Sequence, residues 1–210
     1  FFESVSSDDK ISNFFMKGIT SEIRFHDDSF MDDLGNYIKN TIINSKLTLV
    51  ESFQDIYYYL ACGFTCIFVE GYSKIIAIET KAILDRSVSE SSSEAIIRGP
   101  KDSFTENYMV NLGLIRKRIR DKSLRMDELK LGRRTKSKIA IGYIKEIADL
   151  NHVKKIKTQL KKIDIDGIID SSYIAEFFSP TQHSSFPKLI STERPDLVCQ
   201  SLLNGKICIF

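Results

Sequence analysis

The sequence predicts an α/β protein built from two small α/β subdomains, with mixed sheets flanked by helices, joined by a polar linker. Three observations carry this expectation. Segments with helical spacing alternate with short apolar runs along 210 residues that are 42% hydrophobic, enough to bury a core. A polar low-complexity stretch, Ser87-Val-Ser-Glu-Ser-Ser-Ser-Glu94, interrupts the pattern. The charge balance also reverses: residues 1–93 hold 8 Lys/Arg against 14 Asp/Glu, and residues 94–210 hold 22 against 14. An acidic first part and a basic second part suit modules with different neighbours. The expected division is a first subdomain over 1–86, a linker over 87–97 and a second subdomain over 98–210.

The elements follow in order. Phe1 to Ser12 lack periodicity. Phe30, Leu34, Tyr37, Ile38 and Ile42 recur at helical spacing and predict a helix over Phe30–Asn44. Ser52 to Cys62 predicts a second helix, stopped by Gly63. Phe64–Val69, a turn at Glu70-Gly71 and Lys74–Ile78 predict a β-hairpin. Beyond the linker, Ser103-Phe-Thr-Glu106 has the form of a capping box opening a helix with Met109, Leu112, Ile115 and Ile119 on one face. Strands are expected at Met126–Gly132 and Lys138–Ile144, around a Gly-Arg-Arg-Thr-Lys turn. Asp149 is placed to cap a helix with Leu150, Val153, Ile156, Leu160 and Ile163 inward and Lys154, Lys155, Lys157 and Lys161 largely outward. A short strand at Gly167–Ile169 and a helix at Tyr173–Phe178 come next. Pro195 suits the first turn of a last helix, ending at Asn204-Gly205 before a final strand.

Asp55 to Phe68 resembles Asp196 to Phe210, each running helix, glycine, apolar strand. If this is a repeat, each half holds a similar unit, and the hairpin partner of strand 206–210 would lie beyond Phe210. Convergent helix–turn–strand grammar explains the likeness equally well.

The sequence offers no assembled catalytic set. His26, His152 and His183 are far apart, and no nucleophile elbow, P-loop or dinucleotide fingerprint occurs. Cys62, Cys66, Cys199 and Cys208 lack CxxC or metal spacing and read as free thiols in a reducing compartment. Asp164-Ile-Asp-Gly-Ile-Ile-Asp170 fails as a calcium loop, because the first ligand position would be Lys162. No cofactor and no metal are therefore expected. The longest nearly apolar run, Tyr57–Val69, is too short to span a bilayer. The chain stops inside the apolar run Ile207-Cys-Ile-Phe210, which reads as a cut.

Arg116 to Lys138 holds eleven Lys/Arg and three acids. That density could grip phosphates of lipid or nucleic acid, face a partner, or be a solvated, ion-paired face. Aromatic interleaving is missing, so base stacking is not supported and no nucleic-acid partner is expected. Arg98-Gly-Pro100 precedes the capped helix, whose free amides favour anions. Asn107 and Asn111, four apart, could bridge a facing loop, and Glu193-Arg194 could pair with the same region. A structural network and a small-molecule site both fit these residues.

Glu94-Ala-Ile-Ile-Arg-Gly-Pro100, Phe104-Thr-Glu-Asn107, Asn111-Leu-Gly-Leu-Ile-Arg116, Gly132-Arg-Arg-Thr-Lys136, Ile163-Asp-Ile-Asp-Gly-Ile-Ile-Asp170 and Thr192-Glu-Arg-Pro-Asp196 occur in order. In these stretches the chain resembles the A-subunit family of the GerA-type nutrient germinant receptors of spore-forming bacteria. Residues 47–93 match more weakly and 1–46 hardly at all. The resemblance implies a non-enzymatic N-terminal region at the cytoplasmic face of the spore inner membrane, cut before the transmembrane region. It implies B and C receptor subunits as partners, with self-association a further option. Such a region would couple germinant sensing to receptor assembly and germination signalling, or bind the nutrient itself between its subdomains. Clustering in the family-like motifs makes Arg98, Glu106, Asn107, Arg133, Arg134, Glu193 and Arg194 the expected structural and interaction core of the second subdomain.

Overall fold

The computed structural model describes residues 1–13, 38, 46–82, 99–178 and 189–210. The expected helix at Phe30–Asn44, apart from Ile38, and the linker at 87–97 lie outside the described residues. The chain divides into two compact units: Phe1–Ser87 with Leu112–Lys122, and Val88–Asn111 with Ser123–Phe210.

The first unit contains α1 (Asp8–Asn13), β1 (Leu47–Val50), α2 (Phe53–Ala61), β2 (Phe64–Ile67) and β3 (Ile75–Glu79). Its sheet has the order β1-β3-β2, antiparallel throughout, with Leu49 opposite Ile76 and Cys66 opposite Ala77. The central strand β3 carries consecutive apolar residues because both its faces are covered. Ile76 and Ile78 pack with Ile38, while Ile75 and Ala77 pack with Val50 and with Ile56 and Tyr59 of α2. α2 starts as expected: the Ser52 hydroxyl accepts from the Gln54 amide at 3.1 Å. It stops at Gly63, whose φ of +85° only glycine adopts freely and where a Cβ would meet the Val5 carbonyl oxygen at 2.7 Å. β1 had no counterpart in the sequence expectations. The supposedly irregular start also has order: the Ser7 amide donates to Thr80 O, the Ala82 amide donates to Val5 O, and Val5 is buried.

α3 (Tyr108–Arg118) contributes its first residues to the second unit and Leu112 onward to the first. Leu112, Ile115 and Ile119 of the expected face are buried, but burial is not confined to that face. Leu112, Gly113, Leu114 and Ile115 are all buried, so the middle of the helix is covered on every side.

The second unit contains β4 (Leu124–Leu131), β5 (Ser137–Ile144), α4 (Leu150–Leu160), α5 (Ser172–Phe178), α6 (Pro195–Leu203) and β6 (Cys208–Ile209). Its sheet, β4-β5-β6, is also antiparallel throughout, so neither sheet is mixed as expected. Ile139, Ile141 and Tyr143 alternate along β5 onto a core shared with Val153 and Leu160 of α4, Ile168 and Ile174. α6 packs against β5 and β6, with Pro195 at its start and Val198, Cys199 and Leu202 buried. β6 pairs with β5 along one edge, Ile209 opposite Ile141. The expected strand at Gly167–Ile169 is absent: this stretch bonds to a turn instead of a strand.

Candidate functional site: two clasps in the second unit

The β4–β5 turn, Gly132-Arg-Arg-Thr-Lys136, closes on the loop after α4. Gly132 has φ +86° and Lys136 has φ +47°, so the turn bends sharply. The amide of Arg133 donates to Ile165 O at 3.0 Å, and that of Arg134 to Asp166 O at 2.8 Å. The Thr135 hydroxyl accepts from the Ile168 amide at 3.2 Å and shares a hydrogen bond of 3.0 Å with the Ser137 hydroxyl, and Ser137 donates to Ile168 O at 2.7 Å. A Cβ on Gly132 would lie 2.5 Å from the Thr135 hydroxyl oxygen, and one on Gly167 would lie 2.8 Å from the Thr135 methyl. Both glycines are thus required by close approach.

Over this clasp the Arg133 guanidinium makes a two-pronged pair with Asp164, at 2.6 and 2.5 Å, and Arg134 lies 3.6 Å from Asp166. The Arg133 fork, by hydrogen bond and by charge, holds the Asp164 carboxyl below the ordinary range. Arg133 and Asp164 remain 64% and 66% exposed, so the pair orients two loops more than it stabilises the fold.

The second clasp joins the segment before α3 to the segment before α6. The Phe104 amide and the Ser103 hydroxyl both donate to Glu193 O, at 2.8 and 3.1 Å. This removes Ser103 from capping, so the expected capping box does not form. Asn107 caps α3 instead, its side-chain oxygen accepting from the amides of Met109 and Val110 at 3.0 and 3.3 Å. Asn111 reaches back to Thr105, accepting from its amide at 2.8 Å and donating to its carbonyl at 2.6 Å. Arg194 holds Asp196 through two bonds of 3.2 and 2.6 Å, and its hydrogen bonds draw the Asp196 carboxyl down.

The seven expected residues are therefore spread over different roles. Arg133 and Arg134 sit in the first clasp. Glu193 serves the second through its backbone carbonyl. Asn107 is a cap, Arg194 pairs within its own helix start, and Glu106 is exposed with no hydrogen bond or ion pair among the described residues. Arg98 lies outside the described residues. Sequence reasoning missed Thr135, Asp164, Asn111 as a clamp on Thr105, and Asp196. The acidic pair Asp164 and Asp166 was visible as a motif, but its partners are 31 or more residues away.

The arginines of the basic segment are largely engaged. Arg116 donates to the Ser4 hydroxyl at 2.8 Å and lies over the Phe2 ring at 4.5 Å. Arg118 donates to Leu114 O and Arg120 to Lys117 O, closing the α3 C-terminus.

A polar cluster also sits on the α4 face of the second sheet. Lys157 lies 2.5 Å from Asp127 and 5.6 Å from the Tyr143 ring centre. Partial burial pushes the Asp127 carboxyl up, but bonds from Lys157 and Tyr143 outweigh it and leave the carboxyl lowered. Burial, with help from the Asp127 charge, pushes the Tyr143 hydroxyl up to about 12. Burial likewise raises the Cys66 thiol, and raises Cys208 to about 11, so neither is an activated thiolate. Among the described residues, no three His, Cys, Asp or Glu side chains converge as a metal site. No helix among them is long and apolar enough to cross a membrane.

Fold and clasps together define a two-unit α/β protein whose described motif loops are tied to neighbouring loops by hydrogen bonds. The chain belongs to the GerA spore germination protein family: the family described as Bacillus/Clostridium GerA spore germination protein matches residues 1–210. It is 34% identical over 196 residues, 93% of its length, to the uncharacterized membrane protein YfkQ of Bacillus subtilis (strain 168), covering 37% of that protein. It is 31% identical over its whole length to spore germination protein B1 of the same organism, covering 42% of it. The chain thus spans roughly two fifths of these curated relatives. Its fold is similar to the crystal structure of the N-terminal domain of the A subunit of the Bacillus megaterium spore germinant receptor GerK3. The TM-score is 0.67 at 26% identity, over 97% of this chain and 73% of that one.

Proposed function

We propose that this chain is the N-terminal domain of a germinant receptor A subunit, that it is non-enzymatic, and that it carries the nutrient signal by holding receptor subunits in a responsive arrangement. The observation behind this reading is the pair of clasps. The family-like motifs are spent on fixing loops relative to one another, through Arg133–Asp164, Thr135–Ile168 and the Glu193 carbonyl. Rigid loops on a small scaffold suit a surface that partners recognise. B and C subunits are the proposed partners, self-association is a further option, and the proposed location is the cytoplasmic face of the spore inner membrane.

The test is a germination assay. Spores carrying the full-length protein with Arg133→Gln and Arg134→Gln should respond more slowly to nutrients at unchanged receptor level, because these exposed side chains contribute little to stability. An unchanged response would remove the clasp from signalling. Heat of binding on titrating the folded chain with amino acids or sugars would replace this reading with a nutrient-binding module.

A further inference from the structure

The lysines of the second unit behave differently from its arginines. α4 and the turn after it, Leu150 to Lys162, contain five lysines and no acid. Lys157 turns inward to Asp127. The other four, Lys154, Lys155, Lys161 and Lys162, are exposed and make no ion pair among the described residues. Asp164 and Asp166, the carboxylates next along the chain, are already engaged by Arg133 and Arg134. Lys154 and Lys155 lie in the helix; Lys161, its C-cap in helical conformation, falls seven residues after Lys154 on the same side, and Lys162 follows in the turn. The result is a compact cationic face opposite buried Val153 and Leu160.

Apolar groups border this face. Leu150 stands four residues before Lys154 on the same side and is 40% exposed, and Ile147 just before the helix is 51% exposed. Lysine stems with exposed aliphatic neighbours suit the boundary of a bilayer, where the chains lie among headgroups and the ammonium groups meet phosphates. A nucleic-acid face would instead favour arginine forks and stacking aromatics, and this one has neither. We propose that Lys154, Lys155, Lys161 and Lys162, with Leu150, form a docking surface for an anionic lipid bilayer. This goes beyond the germination reading and does not depend on it.

Co-sedimentation with vesicles tests it. The chain should bind phosphatidylcholine vesicles containing about 30% phosphatidylglycerol and not pure phosphatidylcholine, and added salt should release it. Each lysine near an anionic surface changes partitioning about fivefold, so Lys154→Gln with Lys155→Gln should weaken binding on the order of 25-fold. Lys161→Gln with Lys162→Gln should do the same, both variants keeping the parent melting curve. Equal binding to both vesicle types, or binding insensitive to the lysine pairs, would overturn the proposal. Retention on duplex DNA as strong as on the anionic vesicles at the same salt would reassign the face to nucleic acid. Loss of vesicle binding with normal germination would leave the germination reading standing.

Discussion

Replacing Gly132 with alanine probes how the first clasp is built. Two costs follow from the geometry. Gly132 sits at φ +86°, a conformation that costs an alanine roughly 1–2 kcal/mol. The new methyl carbon would lie 2.5 Å from the Thr135 hydroxyl oxygen, so that hydroxyl must leave. It accepts from the Ile168 amide and shares a hydrogen bond with the Ser137 hydroxyl, and losing two such bonds costs about 1 kcal/mol each. Gly132→Ala should therefore destabilise by about 3–4 kcal/mol. Gly71→Ala isolates the backbone share, because Gly71 has φ +82° in an exposed turn, and should cost only ~1–2 kcal/mol. In a Thr135→Ala background the hydroxyl is already gone, so adding Gly132→Ala should cost little more than Gly71→Ala. Urea unfolding followed by circular dichroism measures the parent and all four variants. Equal costs for Gly132→Ala and Gly71→Ala, or full additivity with Thr135→Ala, would refute the close-approach reasoning.

Other outcomes follow from the same geometry. Asn107→Ala should cost about 1 kcal/mol by removing the α3 cap, whereas Glu106→Ala should change stability by less than ~0.5 kcal/mol; the reverse order would restore the capping box. Leu160→Ala, at a fully buried α4 position, should cost about 3 kcal/mol in the same unfolding experiment, and a loss under ~1 kcal/mol would contradict the packing of α4 on β5. The lowered Asp127 carboxyl contributes stability above the ordinary carboxylate pKa of about 4, and that contribution is lost as pH falls through its folded value. The gap between parent and Lys157→Met should therefore be largest near neutral pH, no more than ~1 kcal/mol given the pair's exposure, and should close in acid. A gap independent of pH would mean that the pair contributes nothing.

Elements with strong local signals were legible in the sequence. Ser52 and Gly63 bracket α2, Asp149 caps α4, Pro195 opens α6, and apolar runs on both sides of a glycine turn mark each hairpin. What escaped depends on distant partners. β1 is four residues long and is a strand only because β3 pairs with it. The apolar run at Gly167–Ile169 looks strand-like, but the amide and carbonyl of Ile168 are taken by Thr135 and Ser137. Ser103 and Asn107 are both competent caps, and the choice between them is made by Glu193, 90 residues from Ser103. The same reasoning limits the site. The sequence grouped Arg133 with Arg134 and Glu193 with Arg194, but it had no means of pairing Arg133 with Asp164 or of turning Glu193 into a backbone acceptor.

The central claim is that this chain serves a germinant receptor, and nutrient-triggered germination measures it directly. Spores lacking other A subunits would be compared with and without the gene for the full-length protein, following the fall in optical density across a panel of amino acids and sugars. The account predicts a response to at least one nutrient that requires the gene and is slowed by Arg133→Gln with Arg134→Gln at equal protein level. Identical behaviour with and without the gene across the whole panel would contradict it.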